Sequence, residues 1–185
     1  MELSKTACVI LGMLRTRAHT GYEIKSIVDH STRFFWAASY GQIYPELKRL
    51  EDAGLVEGES EPQGGRRRRA YSLTDSGREA LENWLTSGEP LHSEMRHEGL
   101  LRFFFADVID PDAQLELVRT MREMHERTRD EMHAIRPKAQ AARDERGQEF
   151  PLRTLEFGIA YQDFVVEWCS ELERELGREP ATTGS

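Results

Sequence analysis

The clearest chemistry in this 185-residue chain lies in two glycines followed by four arginines, Gly64-Gly65-Arg66-Arg67-Arg68-Arg69. Four adjacent guanidinium groups repel one another, so holding them together costs free energy unless an anionic partner receives them. Duplex DNA is such a partner, because its phosphates are closely spaced and each neutralised phosphate releases counterions. Arginine also suits a narrow minor groove. The alternative is a solvated charge run on a surface turn, which is the commoner case for an isolated arginine run.

A second group of polar residues has the spacing of a base-reading helix. Ile43, Leu47 and Leu50 recur at helical intervals, and the residues on the opposite face are Ser39, Tyr40, Gln42, Lys48 and Arg49. Hydrogen-bonding side chains near the start of a helix suit contacts to bases, and cations one or two turns later would reach the phosphate backbone. An ordinary amphipathic helix with a solvated face has the same pattern, so this helix alone leaves both interpretations open.

Three helix signals precede the arginine run. The apolar face of Leu3–Leu14 predicts a first helix. Thr20 is an N-cap residue with Glu23 three residues later, which is the pattern of a capping box at the start of a second helix. A third helix is expected to begin at Ser39 and to end before Gly54, where glycine suits the C′ position.

A change of period after the third helix predicts a β-hairpin. Short strands are expected at Leu55–Gly58 and Ala70–Leu73, with a turn at Glu61–Gly65 between them. Thr74 then caps a fourth helix. We therefore predict a winged helix-turn-helix DNA-binding domain over residues 1–88. The arginines lie on its wing beside the third helix, and this placement favours DNA contact over a solvated charge run.

The rest of the chain predicts an all-helical domain over residues 89–178 and a disordered tail over residues 179–185. A short helix is expected over about residues 93–107. A long helix is expected over Asp110–Arg146, unless Pro137 kinks it.

The last predicted helix, Leu152–Leu176, has two apolar stripes. A helix that is apolar on two sides needs two neighbours, and the second is most simply another copy of the chain. The fold class is therefore expected to be mainly α with a small β-hairpin, the C-terminal domain serving dimerisation and possible effector binding.

Composition and charge exclude several classes of protein. Hydrophobic residues make up 38% and charged residues 31%, and no apolar run approaches the roughly 20 residues of a membrane span. The net charge of −8 arises in the second half: residues 1–88 hold 12 basic and 12 acidic side chains, and residues 89–185 hold 13 and 21. The start of the chain lacks a signal-peptide pattern, so we expect a cytoplasmic protein with no membrane partner.

Enzyme and metal signatures are missing from the sequence. No HExxH, GxSxG, P-loop or GxGxxG pattern occurs. Cys8 and Cys169 lack the basic neighbours that activate a thiol, and a spacing of five keeps His92 and His97 off one helix face. We expect no catalytic residues, no metal and no cofactor.

Three stretches resemble the PadR family of bacterial transcriptional regulators. They are Gly21-Tyr22-Glu23-Ile24, the block SYGQIYPELKRLEDAGLV from Ser39 to Val56, and GRRRRAYSLTDSG from Gly65 to Gly77. The resemblance covers about the first 85 residues closely, and the rest is similar in pattern to the longer subgroup with a large helical dimerisation region. Arg67 departs from the family, whose wing often has proline there, and so the wing of this chain should be less rigid and more cationic.

The resemblance implies a homodimeric repressor that binds a double-stranded DNA operator and responds to a small, often aromatic, effector. Each subunit would place the Ser39–Arg49 helix in a major groove, with half-sites about 34–36 Å apart. Tyr22, Tyr40, Gln42 and Tyr44 are implied phosphate or base contacts, although Tyr44 could equally pack under the helix. The full expected DNA-binding set is Tyr22, Ser39, Tyr40, Gln42, Tyr44, Lys48, Arg49, Arg66, Arg67, Arg68 and Arg69.

Aromatic residues supply the expected effector-binding set, which is Phe34, Trp36, Phe104, His125, Tyr161 and Trp168. Aromatic residues at helical spacing are more often part of a core. His125 and Thr128 interrupt an apolar seam, so they either set the register of two helices, which we favour, or face a ligand cavity.

One other class of function stays open at this stage. Winged helices also serve as protein-docking domains, and the acidic second half could bind a basic partner. The chain would then be an adaptor module without sequence-specific DNA binding. An enzyme would need a site that the sequence does not mark.

Overall fold

A computed structural model describes residues 3–61, 68–91 and 93–177. The chain divides into two compact units, an N-terminal unit of residues 1–91 and a C-terminal unit of residues 92–185. It is mainly helical with one small antiparallel sheet, so the predicted fold class is confirmed. The predicted tail lies outside the described residues.

The described residues of the N-terminal unit form four α-helices and three strands. In chain order these elements are α1 (Lys5–Leu14), β1 (His19–Thr20), α2 (Gly21–Asp29), α3 (Tyr40–Asp52), β2 (Val56–Glu61), β3 (Arg68–Leu73) and α4 (Asp75–Leu85), with a 3₁₀ turn at Thr32–Phe34. Side chains of α1, α2 and α3 form its core, where Leu11, Ile24 and Leu47 are fully buried.

The predicted helix boundaries rest on caps that the structure contains. The Thr20 hydroxyl accepts the Glu23 N–H at 3.2 Å, and the Glu23 carboxylate accepts the Thr20 N–H at 2.7 Å. That backbone hydrogen bond is the main reason why the pKa of Glu23 is lowered. Thr74 caps α4 by accepting the N–H of Gly77 at 3.0 Å, and Gly54 follows α3 with a positive φ of 70°.

The sheet has the order β1-β3-β2, with β3 in the centre. β2 and β3 form the predicted hairpin, in which Gly58 lies opposite Tyr71 and Glu61 opposite Arg68. β1, which sequence analysis did not predict, pairs His19 with Tyr71. A strand of two residues is too short to show the alternation of apolar and polar side chains by which strands are predicted. The turn over residues 62–67 lies outside the described residues.

The C-terminal unit consists of α5 (Glu98–Phe104), a 3₁₀ turn at Ala106–Val108, α6 (Pro111–Arg146) and α7 (Glu149–Leu176). Asp110 caps α6, which runs through Pro137 as one helix. Gly147, at φ 65°, ends α6 in the left-handed conformation.

Two predicted boundaries in this unit differ from the structure. α5 is shorter than expected because residues 93–97 are not helical and His97 caps the helix, its Nδ1 accepting the Leu100 N–H at 3.1 Å. Phe150 and Pro151, expected in a break, lie in the first turn of α7, where a proline leaves no helical hydrogen bond unmade.

Helices α6 and α7 pack antiparallel over most of their length. Arg122 and Glu173 form an ion pair near one end, and Arg136 and Glu156 form one near the other. Val118, Met121, His125 and Met132 form the buried seam of α6. No helix within the described parts of the chain is long and apolar enough to cross a membrane.

Candidate nucleic-acid interface

Three tyrosines form an exposed column where α2 meets the start of α3. The rings of Tyr22 and Tyr40 stack with centroids 6.4 Å apart, and those of Tyr40 and Tyr44 at 6.2 Å. The three residues are 66%, 45% and 50% exposed, respectively. The ring of Tyr44 also packs on Gly21, because a Cβ placed there would lie 2.7 Å from its Cε1 atom. Tyr44 therefore packs on α2 and keeps part of its ring in solvent.

The polar face of α3 is exposed because the opposite face is locked into the core. Ile43, Leu47 and Leu50 are fully buried, so Tyr40, Tyr44 and Lys48 turn to solvent. The polar side of this helix is therefore available to a partner over three turns.

Gln42 is tied to the start of α3. Its Oε1 accepts the backbone N–H of Ser39 at 2.9 Å and the Ser39 hydroxyl at 3.2 Å. Since the carbonyl oxygen is occupied by the cap, the side-chain amide N–H groups are what Gln42 can offer to a partner.

Arg49 already has a partner within the N-terminal unit. Its guanidinium donates to Glu46 Oε1 from Nη2 at 2.6 Å and from Nε at 3.1 Å. The Ser4 hydroxyl donates to the same oxygen at 2.9 Å. Arg49 and Glu46 are therefore a neutral pair at the surface of α3.

Arg69 is the member of the arginine run whose side chain the structure describes. It forms an ion pair with Glu51 of α3, and its guanidinium carbon lies 5.8 Å from the centroid of the Tyr71 ring. Arg68 begins β3, and Arg66 and Arg67 lie outside the described residues. The predicted wing strand is present, and the side chain of Arg69 is held against the third helix.

The expected effector residues fall in both units. Phe34 and Trp36 belong to the N-terminal unit, and Phe104 is exposed at the end of α5. Tyr161 and Trp168 come together in an apolar cavity of about 170 Å³ in the C-terminal unit. Its lining residues are Met95, His97, Leu100, Tyr161, Phe164, Val165 and Trp168.

Buried polar side chains lie beside this cavity and were not predicted as a group. His97 Nε2 lies 2.7 Å from His125 Nε2, and His125 Nδ1 lies 2.5 Å from Gln162 Oε1. Burial, and to a lesser extent His125, lowers the pKa of His97. The contact between His125 and Gln162 joins α6 to α7, as a residue that sets register would do. No local pattern marks these residues, because 28 positions separate the two histidines.

The thiols and metal-ligating residues show no reactive arrangement. Burial raises the pKa of the Cys8 and Cys169 thiols, which disfavours the thiolate. Within residues 3–61, 68–91 and 93–177, no three histidine, cysteine or acidic side chains are grouped as metal ligands would be.

The three-stranded sheet, packed beside helices α1 to α3, and the exposed polar face of α3 define a winged-helix domain. Residues 10–83 match the transcriptional regulator PadR-like family, and residues 95–177 match the virulence activator alpha C-terminal family. The chain therefore carries a PadR-like transcriptional regulator domain, as its sequence predicted.

Two relatives illustrate the similarity. The negative transcriptional regulator PadR of Bacillus subtilis is 34% identical over 111 residues, which cover 60% of this chain and 61% of the relative. A probable transcriptional regulator of Mycobacterium tuberculosis is 37% identical over 83 residues, 44% and 43% of the two chains. The match thus spans less than two thirds of either relative's own length.

Solved structures share the fold over nearly the whole chain. Bacillus subtilis PadR in complex with operator DNA has a TM-score of 0.83 at 24% identity, over 95% of this chain and 99% of that one. The same regulator in complex with p-coumaric acid has a TM-score of 0.76 at 25% identity, over 93% and 98%. The Vibrio cholerae virulence activator AphA has a TM-score of 0.70 at 25% identity, over 95% and 100%.

Proposed function

We propose that this protein is a homodimeric, sequence-specific DNA-binding regulator, acting as a repressor that a small aromatic effector releases from its operator. The observation that carries the proposal is the exposed polar face of α3 beside the tyrosine column. The known structure of Bacillus subtilis PadR with operator DNA supports the same partner.

In this proposal α3 enters the major groove, and the tyrosine column holds the adjacent phosphates. The hydroxyls of Tyr22, Tyr40 and Tyr44 are hydrogen-bond donors on rings that stacking keeps in place. Lys48 lies further along the exposed face and adds a charge contact. Contacts of this kind position the helix, and the side chains at its first turn then reach base edges.

The first experiment selects bound duplexes from a random pool and measures affinity against salt. A complex with about six phosphate contacts should lose roughly three decades of affinity between about 50 and 200 mM salt. Replacing Arg66, Arg67 and Arg68 with alanine should weaken all sequences alike and flatten this dependence, while the matched three-lysine variant keeps it. Wild-type affinity in the alanine variant would show that the wing is not a DNA contact, and no salt dependence would favour the adaptor alternative.

The proposal of a homodimer rests on an apolar face of α7. Phe150, Phe157 and Phe164 recur every seven residues and are 81%, 75% and 65% exposed. A soluble chain seldom leaves such a row uncovered, and a second copy supplies a matching row. Sedimentation should therefore give twice the chain mass for the wild type and the chain mass for Phe157→Asp.

Leu91→Asp is the matched control for the dimer, because Leu91 is 99% exposed and lies outside α7. It should keep the mass of the wild type. A wild-type protein that sediments as one chain at the concentrations where it binds DNA would contradict the homodimer.

The effector is proposed to occupy the 170 Å³ cavity between α5 and α7. Its walls are apolar, and a cavity of about this size accommodates one aromatic ring. The p-coumaric acid complex of Bacillus subtilis PadR makes that compound the first probe. The effector can release DNA only if it binds more tightly to the form of the protein that does not bind DNA. The size of its effect is set by the difference between its affinities for that form and for the DNA-binding form.

Calorimetry with p-coumaric acid, followed by DNA binding in its presence, tests the effector site. Met95→Trp should fill the cavity and abolish binding, whereas Met124→Trp, which replaces an exposed residue of α6 away from the cavity, should not. Binding that leaves DNA affinity unchanged would contradict an effector role for this compound.

A further inference from the structure

We propose that Glu51 and Arg69 form a brace that fixes the β2–β3 hairpin against α3, and that Arg69 is a positioning residue rather than a phosphate ligand. The inference rests on the proposed DNA-binding function. It assigns Glu51, which no DNA-contact pattern marks, a part in recognition.

One carboxylate oxygen links three elements. Glu51 lies in the last turn of α3, and its Oε1 accepts the backbone N–H of Gly58 in β2 at 3.1 Å. The same oxygen accepts the guanidinium Nη2 of Arg69 in β3. Both hydrogen bonds are charge-assisted, which makes them stronger than bonds between neutral groups. The end of the recognition helix is thus tied to both strands of the wing.

Tyr71 holds Arg69 from its other side. The guanidinium carbon lies 5.8 Å from the ring centroid, within the range of a cation–π contact. Tyr71 itself packs against the core and is paired with His19 of β1 and with Gly58 of β2. Arg69 therefore bridges a carboxylate of α3 and a ring that is packed on the core.

Gly58 leaves the room that the brace needs. A Cβ at this position would lie 2.3 Å from Arg69 Nε, 2.8 Å from Glu51 Oε1 and 3.0 Å from Tyr71 Cε1. Any side chain at position 58 would displace Arg69 or the ring of Tyr71, so the brace requires glycine at this position.

Removing the Glu51 carboxylate should change DNA affinity in opposite directions, depending on whether the carboxylate acts only by its charge or as part of the brace. The carboxylate lies on the helix that would face DNA, and its loss should strengthen binding by removing a repulsive charge and releasing Arg69. If the carboxylate instead sets the angle between α3 and the wing, its loss weakens binding although the protein becomes more positive.

The experiment measures the affinity of Glu51→Ala, Arg69→Ala and the double variant for a duplex selected by the wild type, at several salt concentrations. We expect each single variant to bind about fivefold more weakly, and the double variant no more weakly than either, since residues in one contact are not additive. The slope of log affinity against log salt should stay that of the wild type. Glu59→Ala is the matched control, because it removes an exposed acid of β2 outside the brace.

Three results would overturn the brace. They are unchanged or tighter binding by Glu51→Ala, a loss in Arg69→Ala that adds to that of Glu51→Ala, and a salt slope that falls by about 0.9 in Arg69→Ala, which is the mark of one lost phosphate contact. If Glu51→Ala does not fold, Glu51→Gln removes the charge and keeps an acceptor for Gly58.

Hydrogen exchange in the DNA-free protein separates failure of the brace from failure of the proposed function. Backbone amides of β2 and β3 should exchange faster in both brace variants than in the wild type and Glu59→Ala. If the wild type selects no duplex, the DNA-binding proposal fails, but the brace can still be tested. Equal exchange rates of the β2 and β3 amides in the wild type, Glu51→Ala, Arg69→Ala and Glu59→Ala would overturn the brace.

Discussion

Lowering the pH from about 7.5 to about 5.5 should destabilise the C-terminal unit through His97. His97 Nδ1 accepts the Leu100 N–H, so the proton of the neutral ring is on Nε2 and is donated to His125 Nε2. The proton of His125 is then on Nδ1 and is donated to Gln162 Oε1. With both rings neutral, every hydrogen-bonding position in this chain of contacts is filled.

Adding a proton to the His97 ring places two donors opposite each other. The proton must go to Nδ1, which faces the Leu100 N–H. One hydrogen bond is then lost, at a cost of about 1 kcal/mol, and the charge on the ring is poorly solvated. The lowered pKa of His97 follows from its burial and from the neighbouring His125.

The sign of the pH effect follows from that lowered pKa. An unfolded histidine titrates near about 6.5. Above that pH both states are neutral, and below it the unfolded chain binds a proton that the folded chain resists. The free energy of unfolding should therefore fall as the pH is lowered, by up to about 1.4 kcal/mol per pH unit for His97, until the folded His97 titrates.

Nitrogen chemical shifts of the two rings give the most direct assay. We expect His97 protonated on Nε2, His125 on Nδ1, and a titration of His97 below about 6.5. His97→Phe should flatten the pH dependence of stability, whereas His133→Gln, at an exposed position of the same unit, should not. The reasoning is wrong if both rings carry their proton on the same type of nitrogen, or if His97 titrates at or above the unfolded value.

Further substitutions test packing and specificity. Chemical denaturation of Gly77→Ala should show the N-terminal unit destabilised by about 1–3 kcal/mol, because the added Cβ would lie 1.9 Å from the Leu55 carbonyl oxygen. In the same series Gly12→Ala should stabilise α1 by about 0.5–1 kcal/mol, because a Cβ there would have no neighbour within 4 Å. Gln42→Ala should relax base preference at one position of the selected duplexes, while Glu79→Ala, at an exposed position of α4, should leave that preference unchanged. Equal selectivity in all three proteins would contradict base contact by Gln42.

Much of the architecture could be predicted from sequence because it depends on neighbours along the chain. The cap at Thr20 joins residues three apart, Gly54 ends α3 through its own backbone freedom, and the apolar stripes of α6 and α7 follow from helical spacing. The cationic character of the wing was also visible, because four consecutive arginines are a local signal.

Contacts between distant residues could not be predicted in this way. Glu51 and Arg69 are 18 positions apart, and from the sequence alone both would be assigned to solvent or DNA. β1 has only two residues, which are too few to show the alternation of side chains that marks a strand. The start of α5 depends on His97, whose orientation is decided by His125.

The sequence by itself determined the order of the helices and of the two hairpin strands, the winged-helix class and the positions of the cationic and aromatic residues. Only the tertiary structure decided which of those residues are already partnered, as Arg49 is by Glu46 and Arg69 by Glu51. The physical reason is that turns and amphipathic faces depend on residues within four positions, whereas charge pairing across elements depends on how those elements pack.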